Sequence, residues 1–300
     1  MLAHPAGPIV AARMAGWKRV ALSVKAGQAG ASPLVGRLVA LLRKRGLDVA
    51  LDQNAASHLG ESGGRSLEEV VAVADLLVVL GGDGSVLAAV RAIGARRVPV
   101  LGVNLGHLGF LTDVGPGDAE AALEATLAGD HALVERSRFE VSHTRGGREL
   151  LRELVLNDAV ITKGSALARL IELEALVDDR VIATYRSDGL IVSTPTGSTA
   201  YNLSAGGPIL DTDVRAAILN PICPHTLTLR PLVLPDDRAI VVRLRSPEDA
   251  TLTLDGQVGA TVRTGDSVRV VKASEPARFV SALARDHFAT LRTKLGWGSR

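Results

Sequence analysis

Two stretches hold residues whose types and spacing could do chemistry. The first is Gly81-Gly82-Asp83-Gly84-Ser85. Glycines let backbone approach a ligand closely, and a helix N-terminus just downstream offers free N–H groups to an anion. Asp83 is the anomaly, because a carboxylate repels phosphate. It could help hold a divalent cation, or accept a proton from an attacking hydroxyl. It could equally be a plain helix N-cap. The loop is neither a Walker loop, since no lysine follows, nor a dinucleotide fingerprint, since Leu87 stands where a third glycine belongs. The second stretch runs from Asp188 to Asn202. Five of its seven residues from Ser193 to Thr199 carry hydroxyls, with Pro195 and Gly197 among them. Hydroxyls and backbone N–H groups in such a turn suit a phosphate, a ribose or an amide. Tyr201, one of two tyrosines, adds a flat face with a polar tip. A solvated loop or a helix cap would use the same residue types. Ser204-Ala205-Gly206-Gly207-Pro208 continues the loop chemistry.

The elements around the first loop alternate. Leu76–Leu80 is a short apolar run, partly β-branched, of the kind buried on both faces of a parallel sheet. Helical composition follows from Val86 to Ile93. Arg19–Val24 predicts the first strand. Ser32-Pro33 predicts an N-cap followed by proline, opening a helix striped by Leu34, Val35, Leu38, Val39, Leu41 and Leu42 and stopped at Gly46. Val49–Leu51 and Val98–Val103 predict strands. Ser66 and Glu69 have capping-box spacing, and Asp118–Leu127 predicts a helix. This is an α/β domain with a parallel sheet.

The texture changes near His131. Alternating runs recur at 138–143, 154–162, 170–177, 180–185, 239–244, 250–254 and 267–272, with turn residues between them. Asp178-Asp179 signals a hairpin. We therefore expect a 1–17 extension, an α/β phosphate-loop domain over 18–130, an all-β domain over 131–280 resembling a sandwich, and a helix over 281–300 returning to the first domain. Met14 is an alternative start to Met1.

The totals exclude several classes. A formal net charge of +2 over 300 residues is no nucleic-acid footprint. Cys223 is the single cysteine, so no internal disulfide forms, and a buried inert thiol is expected. No run of about 18 apolar residues predicts a membrane span. Pro5, Pro8 and Arg13 interrupt the N-terminal apolar run, so no signal peptide and a cytoplasmic location are expected. His107 and His225 read as loop or structural histidines, and Arg43-Lys44-Arg45 as a solvated helix end.

Gly81-Gly82-Asp83-Gly84, then Asn104-Leu105-Gly106-His107-Leu108-Gly109-Phe110-Leu111, then Leu156-Asn157-Asp158, then Asp188 to Asn202 resemble the NAD kinase family in order and spacing. Ile222-Cys223-Pro224-His225-Thr226-Leu227, Arg230-Pro231, Asp255-Gly256-Gln257 and Lys294-Leu295-Gly296-Trp297-Gly298 are similar too. The likeness spans residues 18 to 298. It implies an NAD kinase/diacylglycerol kinase-like fold, and phosphorylation of NAD at the 2′-hydroxyl of the adenosine ribose to give NADP. It implies ATP (polyphosphate in some members) as donor, a divalent cation such as Mg2+, and a homo-oligomer, dimer or tetramer. It implies that Asp83 is the proton acceptor and that Asn157 and Asp158 hold the nicotinamide ribose, Asp158 standing where many members have the longer Glu. It further implies that Gly82, Gly84, Phe110, Arg186, Asp188, Thr199, Ala200, Tyr201 and Ser204 contact the ligands, with Asp188 reaching a neighbouring subunit's dinucleotide. Two rivals remain open on the residues: a lipid or sugar kinase sharing only the glycine loop, and an NAD sensor without turnover.

Overall fold

The computed structural model describes residues 9–10, 16–106, 109–112, 114–165, 169–226, 228–282 and 287–297. Met1, Met14, His107, Leu108, Leu227, Leu283 and Gly298 lie outside the described residues. The chain divides into two compact units, one of Met1–Glu135 with Ala277–Arg300 and one of Arg136–Pro276.

In chain order the first unit contains β1 (Ile9–Val10), β2 (Arg19–Val24), α1 (Ser32–Lys44), β3 (Asp48–Leu51), α2 (Gln53–Leu59), α3 (Leu67–Val73), β4 (Leu76–Gly81), α4 (Asp83–Ile93), β5 (Val100–Asn104), α5 (Ala119–Ala128) and β6 (Ala132–Arg136). Every residue of β4 and β5 is buried, as strands covered on both faces must be. Leu34, Val35, Leu38, Val39 and Leu42 form the buried stripe of α1. A stripe at helical spacing contributes about 1.5–3 kcal/mol for each fully buried leucine or valine. The expected cap at Ser32 is not there. A 3-10 turn at Ala29–Ala31 runs straight into α1, Ala31 is the N-cap, and the Ser32 hydroxyl pairs with His58 Nδ1 at 2.9 Å. The capping box does form. Ser66 Oγ accepts from the Glu69 N–H at 3.2 Å, and Glu69 Oε2 accepts from the Ser66 N–H at 2.8 Å.

The second unit contains β7 (Phe139–Arg145), β8 (Arg148–Val155), β9 (Asp158–Lys163), β10 (Ile171–Val177), β11 (Arg180–Ser187), β12 (Gly189–Ser193), α6 (Tyr201–Ser204), β13 (Ala216–Ile222), β14 (Leu232–Pro235), β15 (Ile240–Leu244), β16 (Ala250–Leu254), β17 (Val258–Val262) and β18 (Ser267–Lys272). These make two six-stranded sheets, ordered β11-β10-β15-β18-β7-β8 and β14-β13-β12-β9-β16-β17. All neighbouring strands in both sheets pair antiparallel. One apolar cluster joins inward residues of both sheets, such as Val141, Leu173 and Val242 with Ile161, Leu190 and Leu252. That is sandwich packing. The hairpin at Asp178-Asp179 places both residues at positive φ, 47° and 63°, as a two-residue type I′ turn requires. The single strand expected over 154–162 is broken. β8 ends at Val155 and β9 starts at Asp158.

The chain then re-enters the first unit as β19 (Ala277–Ser281) and ends in α7 (His287–Leu295). The helix expected from Ser281 thus starts later, and a strand precedes it. The first unit's sheet is ordered β1-β6-β19-β5-β4-β2-β3, with β3, β2, β4, β5 and β19 parallel and β1 antiparallel to β6. Leu291 of α7 is buried, and Lys294 Nζ sits 5.6 Å from the centroid of the Phe110 ring. Among the described residues no helix is long and apolar enough to cross a membrane.

Candidate active site

In the first unit β4 delivers the chain to Gly82, which is the N-cap of α4, so Asp83 is the first helical residue and not the cap. The helix begins three residues before Val86. The Asp83 side chain turns to another loop. Its Oδ2 accepts from the Phe110 N–H at 2.8 Å, and its Oδ1 accepts from the Leu111 N–H at 3.0 Å and from Thr112 Oγ1 at 3.3 Å. Asn104, at the end of β5, braces that loop. Its Nδ2 donates to Thr112 Oγ1 at 2.8 Å, and its Oδ1 accepts from the Gly106 N–H at 2.7 Å. Gly109 must be glycine here, because a Cβ would collide with the Asp83 carboxylate. Each carboxylate oxygen has two lone pairs, so these bonds leave capacity to accept a proton from a ligand. Gly82, Asp83, Gly84 and Phe110 are therefore gathered in one place. Gly82 and Gly84 also line a cavity of about 410 Å³ within this unit.

In the second unit three loops are tied together. Asp255 and Gly256, at φ 50° and 66°, turn the chain between β16 and β17. The Asp255 carboxylate accepts from the N–H groups of Leu156 at 2.8 Å, Asn157 at 2.7 Å and Asp158 at 3.1 Å. That is why the strand breaks at 156–157: these N–H groups go to a side chain. The loop is fixed on its other side by Thr194, whose Oγ1 donates to the Leu156 carbonyl at 2.6 Å and whose N–H donates to the Asn157 carbonyl at 2.8 Å. A Cβ on Gly197 would strike that same Asn157 carbonyl. Asp158 is 4% exposed. Burial, and secondarily the Asp255 carboxylate, push its pKa up to about 7.

The hydroxyl-rich turn is largely self-engaged. Ser193, Thr194 and Ser198 are fully buried, with hydroxyls bonded to Thr194, Leu156 and Leu210 carbonyls. Asn202 is also buried, and its amide bonds the Ser198 and Pro208 carbonyls. These residues build the turn, leaving Thr199, Ala200, Tyr201 and Ser204 partly or well exposed on it. Tyr201 is 45% exposed.

Arg186 and Asp188 lie elsewhere. They precede β12, whereas the turn follows it, and a strand of that length separates its ends by about 15 Å. Asp188 pairs with Lys163 at 2.7 Å and Arg186 with Glu172 at 3.2 Å. Cys223 is exposed at φ +45°, not buried, because it leaves β13 in a tight left-handed turn. His225 is exposed, and its backbone N–H donates to the Arg186 carbonyl at 2.9 Å. Among the described residues no group of three His, Cys, Asp or Glu is placed to hold a metal.

Sequence reasoning missed the anchoring role of Asp255, for which a carboxylate beside glycine in a hairpin turn was the available signal. It also missed Asp52, whose place between a strand and a helix marks an N-cap. Asp52 Oδ1 accepts from the Ala55 N–H at 2.7 Å, and Oδ2 accepts from Ser23 Oγ at 2.7 Å and the Val24 N–H at 3.2 Å.

Residues 20–131 match the ATP-NAD kinase N-terminal domain and residues 156–282 the ATP-NAD kinase C-terminal domain. The NAD kinase of Geobacter metallireducens is 46% identical over 284 residues, 94% of this chain and 100% of that protein. That of Syntrophotalea carbinolica is 42% identical over 285 residues, again 94% and 100%. Among solved structures, an Archaeoglobus fulgidus NAD kinase in complex with ATP is 27% identical, with TM-score 0.74 over 93% of this chain and 98% of that one. Yeast NADH kinase complexed with NADH shares the fold, with TM-score 0.88 at 24% identity over 98% and 94% of the two chains.

Proposed function

The chain belongs to the NAD kinase family, and on that premise we propose how its residues carry the family's reaction, phosphorylation of NAD to NADP by ATP. The observation that carries the reading is Asp83. It stands on the first turn of α4, between two glycines that line a cavity, with its carboxylate held in place by two backbone N–H groups. The 2′-hydroxyl of the adenosine ribose attacks the terminal phosphorus of ATP, its proton passes to Asp83, and the bond to ADP breaks. Such transfer needs mainly positioning and charge stabilisation, and the doubly anchored carboxylate supplies the first.

Asn157 and Asp158 hold the hydroxyls of the nicotinamide ribose. With a pKa near 7 the Asp158 carboxyl is available in both forms, able to donate as well as accept. Thr199, Ala200, Tyr201 and Ser204 offer further contacts, with the tyrosine ring as a stacking face. Arg186 and Asp188 stand a strand's length away, which supports their contacting the ligand of a second copy in a dimer or tetramer. The donor set of the described residues does not form a resident metal cage. A divalent cation such as Mg2+ would be held by the ATP phosphates and would neutralise charge on them. Both substrates are cytoplasmic metabolites, and we place the enzyme there.

The test is turnover of the full chain with NAD and ATP, with polyphosphate and NADH run in parallel. NADP formation from NAD and ATP is expected. Tight NAD binding without turnover would leave an NAD sensor, and phosphorylation of a lipid or sugar alone would leave one of the other kinases.

A further inference from the structure

The last turn of α7 carries a cation that the reaction as derived does not use. Lys294-Leu295-Gly296-Trp297 closes the helix as a Schellman motif. Gly296 takes φ 65°, where a side chain is strained, and the Trp297 N–H reaches back to the Arg292 carbonyl at 3.0 Å. Leu291 is buried and sets which face of α7 meets the first unit. Lys294 follows it by three residues, so the two side chains lie on the same side of the helix. The return of the chain through β19, beside β5, brings α7 to the loop that leaves β5.

A lysine in the last turn of a helix suits the helix dipole by itself. This one also has an aromatic partner. Its Nζ stands 5.6 Å from the centroid of the Phe110 ring, within the range at which a cation is drawn to a ring face. Among the described residues no carboxylate is paired with Lys294. The ring it covers is half-buried and belongs to a residue whose backbone is engaged at the candidate active site. The Phe110 N–H donates to Asp83 Oδ2 at 2.8 Å, and the next N–H, that of Leu111, to Oδ1 at 3.0 Å. Gly106 and Gly109 give this loop little stiffness of its own. Asn104 braces Gly106 and Thr112, on either side of Phe110 in sequence, and leaves the Phe110 ring to be held by something else.

We propose that Lys294 is a positioning residue for the reaction: by holding the Phe110 ring, the last helix of the chain keeps the Phe110 and Leu111 N–H groups on the Asp83 carboxylate. Lys294 acts through the ring and touches no reacting atom. This rests on the reading of Asp83 as the group at the reacting hydroxyl, whose rate depends on where that carboxylate is held.

The test uses the full chain and two readouts. Amide hydrogen exchange at Phe110 and Leu111 reports the loop without turnover, and kcat with NAD and ATP reports the reaction. Lys294→Met keeps the length and helix propensity of the side chain and removes the cation. It is expected to speed exchange at both amides about threefold to tenfold, and to lower kcat by a similar factor, as the loss of one cation–π contact does. NAD KM should stay within about twofold. The melting temperature should stay within about 3 °C, because the side chain is exposed. Lys294→Arg should restore both readouts, since a guanidinium also sits over a ring face. Phe110→Leu keeps the backbone N–H and removes that face, so Lys294→Met should add less than about twofold in its background. Unchanged exchange and kcat in Lys294→Met overturn the proposal. A full Lys294→Met effect in the Phe110→Leu background also overturns it, because the cation would then act elsewhere, such as on a ligand's phosphate. The reading of Asp83 fails separately: normal kcat in Asp83→Asn removes its role as base, while faster exchange at Phe110 in Lys294→Met leaves the loop contact standing.

Discussion

Asp83 and Asp255 perform the same mechanical task in different units. Each folds a distant loop onto itself by accepting consecutive backbone N–H groups, from Phe110 and Leu111 in one case and from Leu156, Asn157 and Asp158 in the other. Their surroundings differ. Beside Asp83 the chain is glycine, and a cavity opens. Beside Asp255 lies a second carboxylate, Asp158, which is largely buried. The comparison teaches that anchoring a carboxylate does not decide its role. The neighbours differ: Asp83 stands partly exposed between two glycines that line a cavity, whereas Asp255 holds the loop that carries Asn157 and Asp158.

The largest expected effect lies on the second side of that comparison. The pKa of Asp158 rises from 3.8 to about 7 on folding. The folded chain therefore binds more protons than the unfolded chain between those values, and stability falls as pH rises through that window. The loss is at most about 4 kcal/mol once pH exceeds 7. Thermal melts from pH 4 to 8 should show this decline, and Asp158→Asn should flatten it. A wild-type profile that rises steadily with pH would break the account of Asp158.

Next comes Asp255→Ala, which orphans three N–H donors at once. About 3 kcal/mol of stability should be lost, together with NAD affinity, because Asn157 and Asp158 lose their frame. An unaltered melting temperature would show that the 156–158 loop is held by Thr194 alone.

On the first side, Gly109→Ala drives a Cβ into the Asp83 carboxylate. Displacing a reacting group by about an ångström costs up to a hundredfold in rate, so kcat should fall about tenfold to a hundredfold with NAD affinity little altered. Normal kcat would mean that the exact position of Asp83 is immaterial. The smallest effect belongs to Tyr201→Ala. Loss of a stacking face should weaken NAD by about 1 kcal/mol and leave the melting temperature unchanged, since the ring is exposed. A drop in stability instead would make Tyr201 part of the scaffold.

Much of this was legible because local chemistry decided it. The Ser66–Glu69 box, the Asp178-Asp179 hairpin and the apolar runs of β2 and β4 are set by residues near in sequence, and each formed. What was not legible depended on distant partners. Residues 154–162 read as one strand because nothing local shows that Asp255 captures the N–H groups between Leu156 and Asp158. Residues 277–280 read as part of the all-β domain because their place beside β5 is a pairing across much of the chain. The hydroxyls of Ser193, Thr194 and Ser198 looked available to a ligand, since a sequence does not reveal that carbonyls at Leu156 and Leu210 already hold two of them. The motifs marked the candidate stretches, and long-range bonds determine which of their side chains are already engaged.

The central claim is that Asp83 acts on the rate while the Asp255-held loop acts on binding. Asp83→Asn tests it most directly. Asn keeps the size but has a single acceptor oxygen, and its NH2 would face one of the two loop N–H donors. Some destabilisation, about 1–2 kcal/mol, is therefore expected from the lost anchor alone. The decisive quantity is kcat measured well below the melting temperature, beside NAD affinity by calorimetry. The account predicts a fall in kcat of roughly 10²–10⁴ with NAD affinity within about threefold of wild type. A folded variant with kcat within tenfold of wild type would contradict it, and would leave Asp83 as a clamp on the Phe110–Leu111 loop and nothing more.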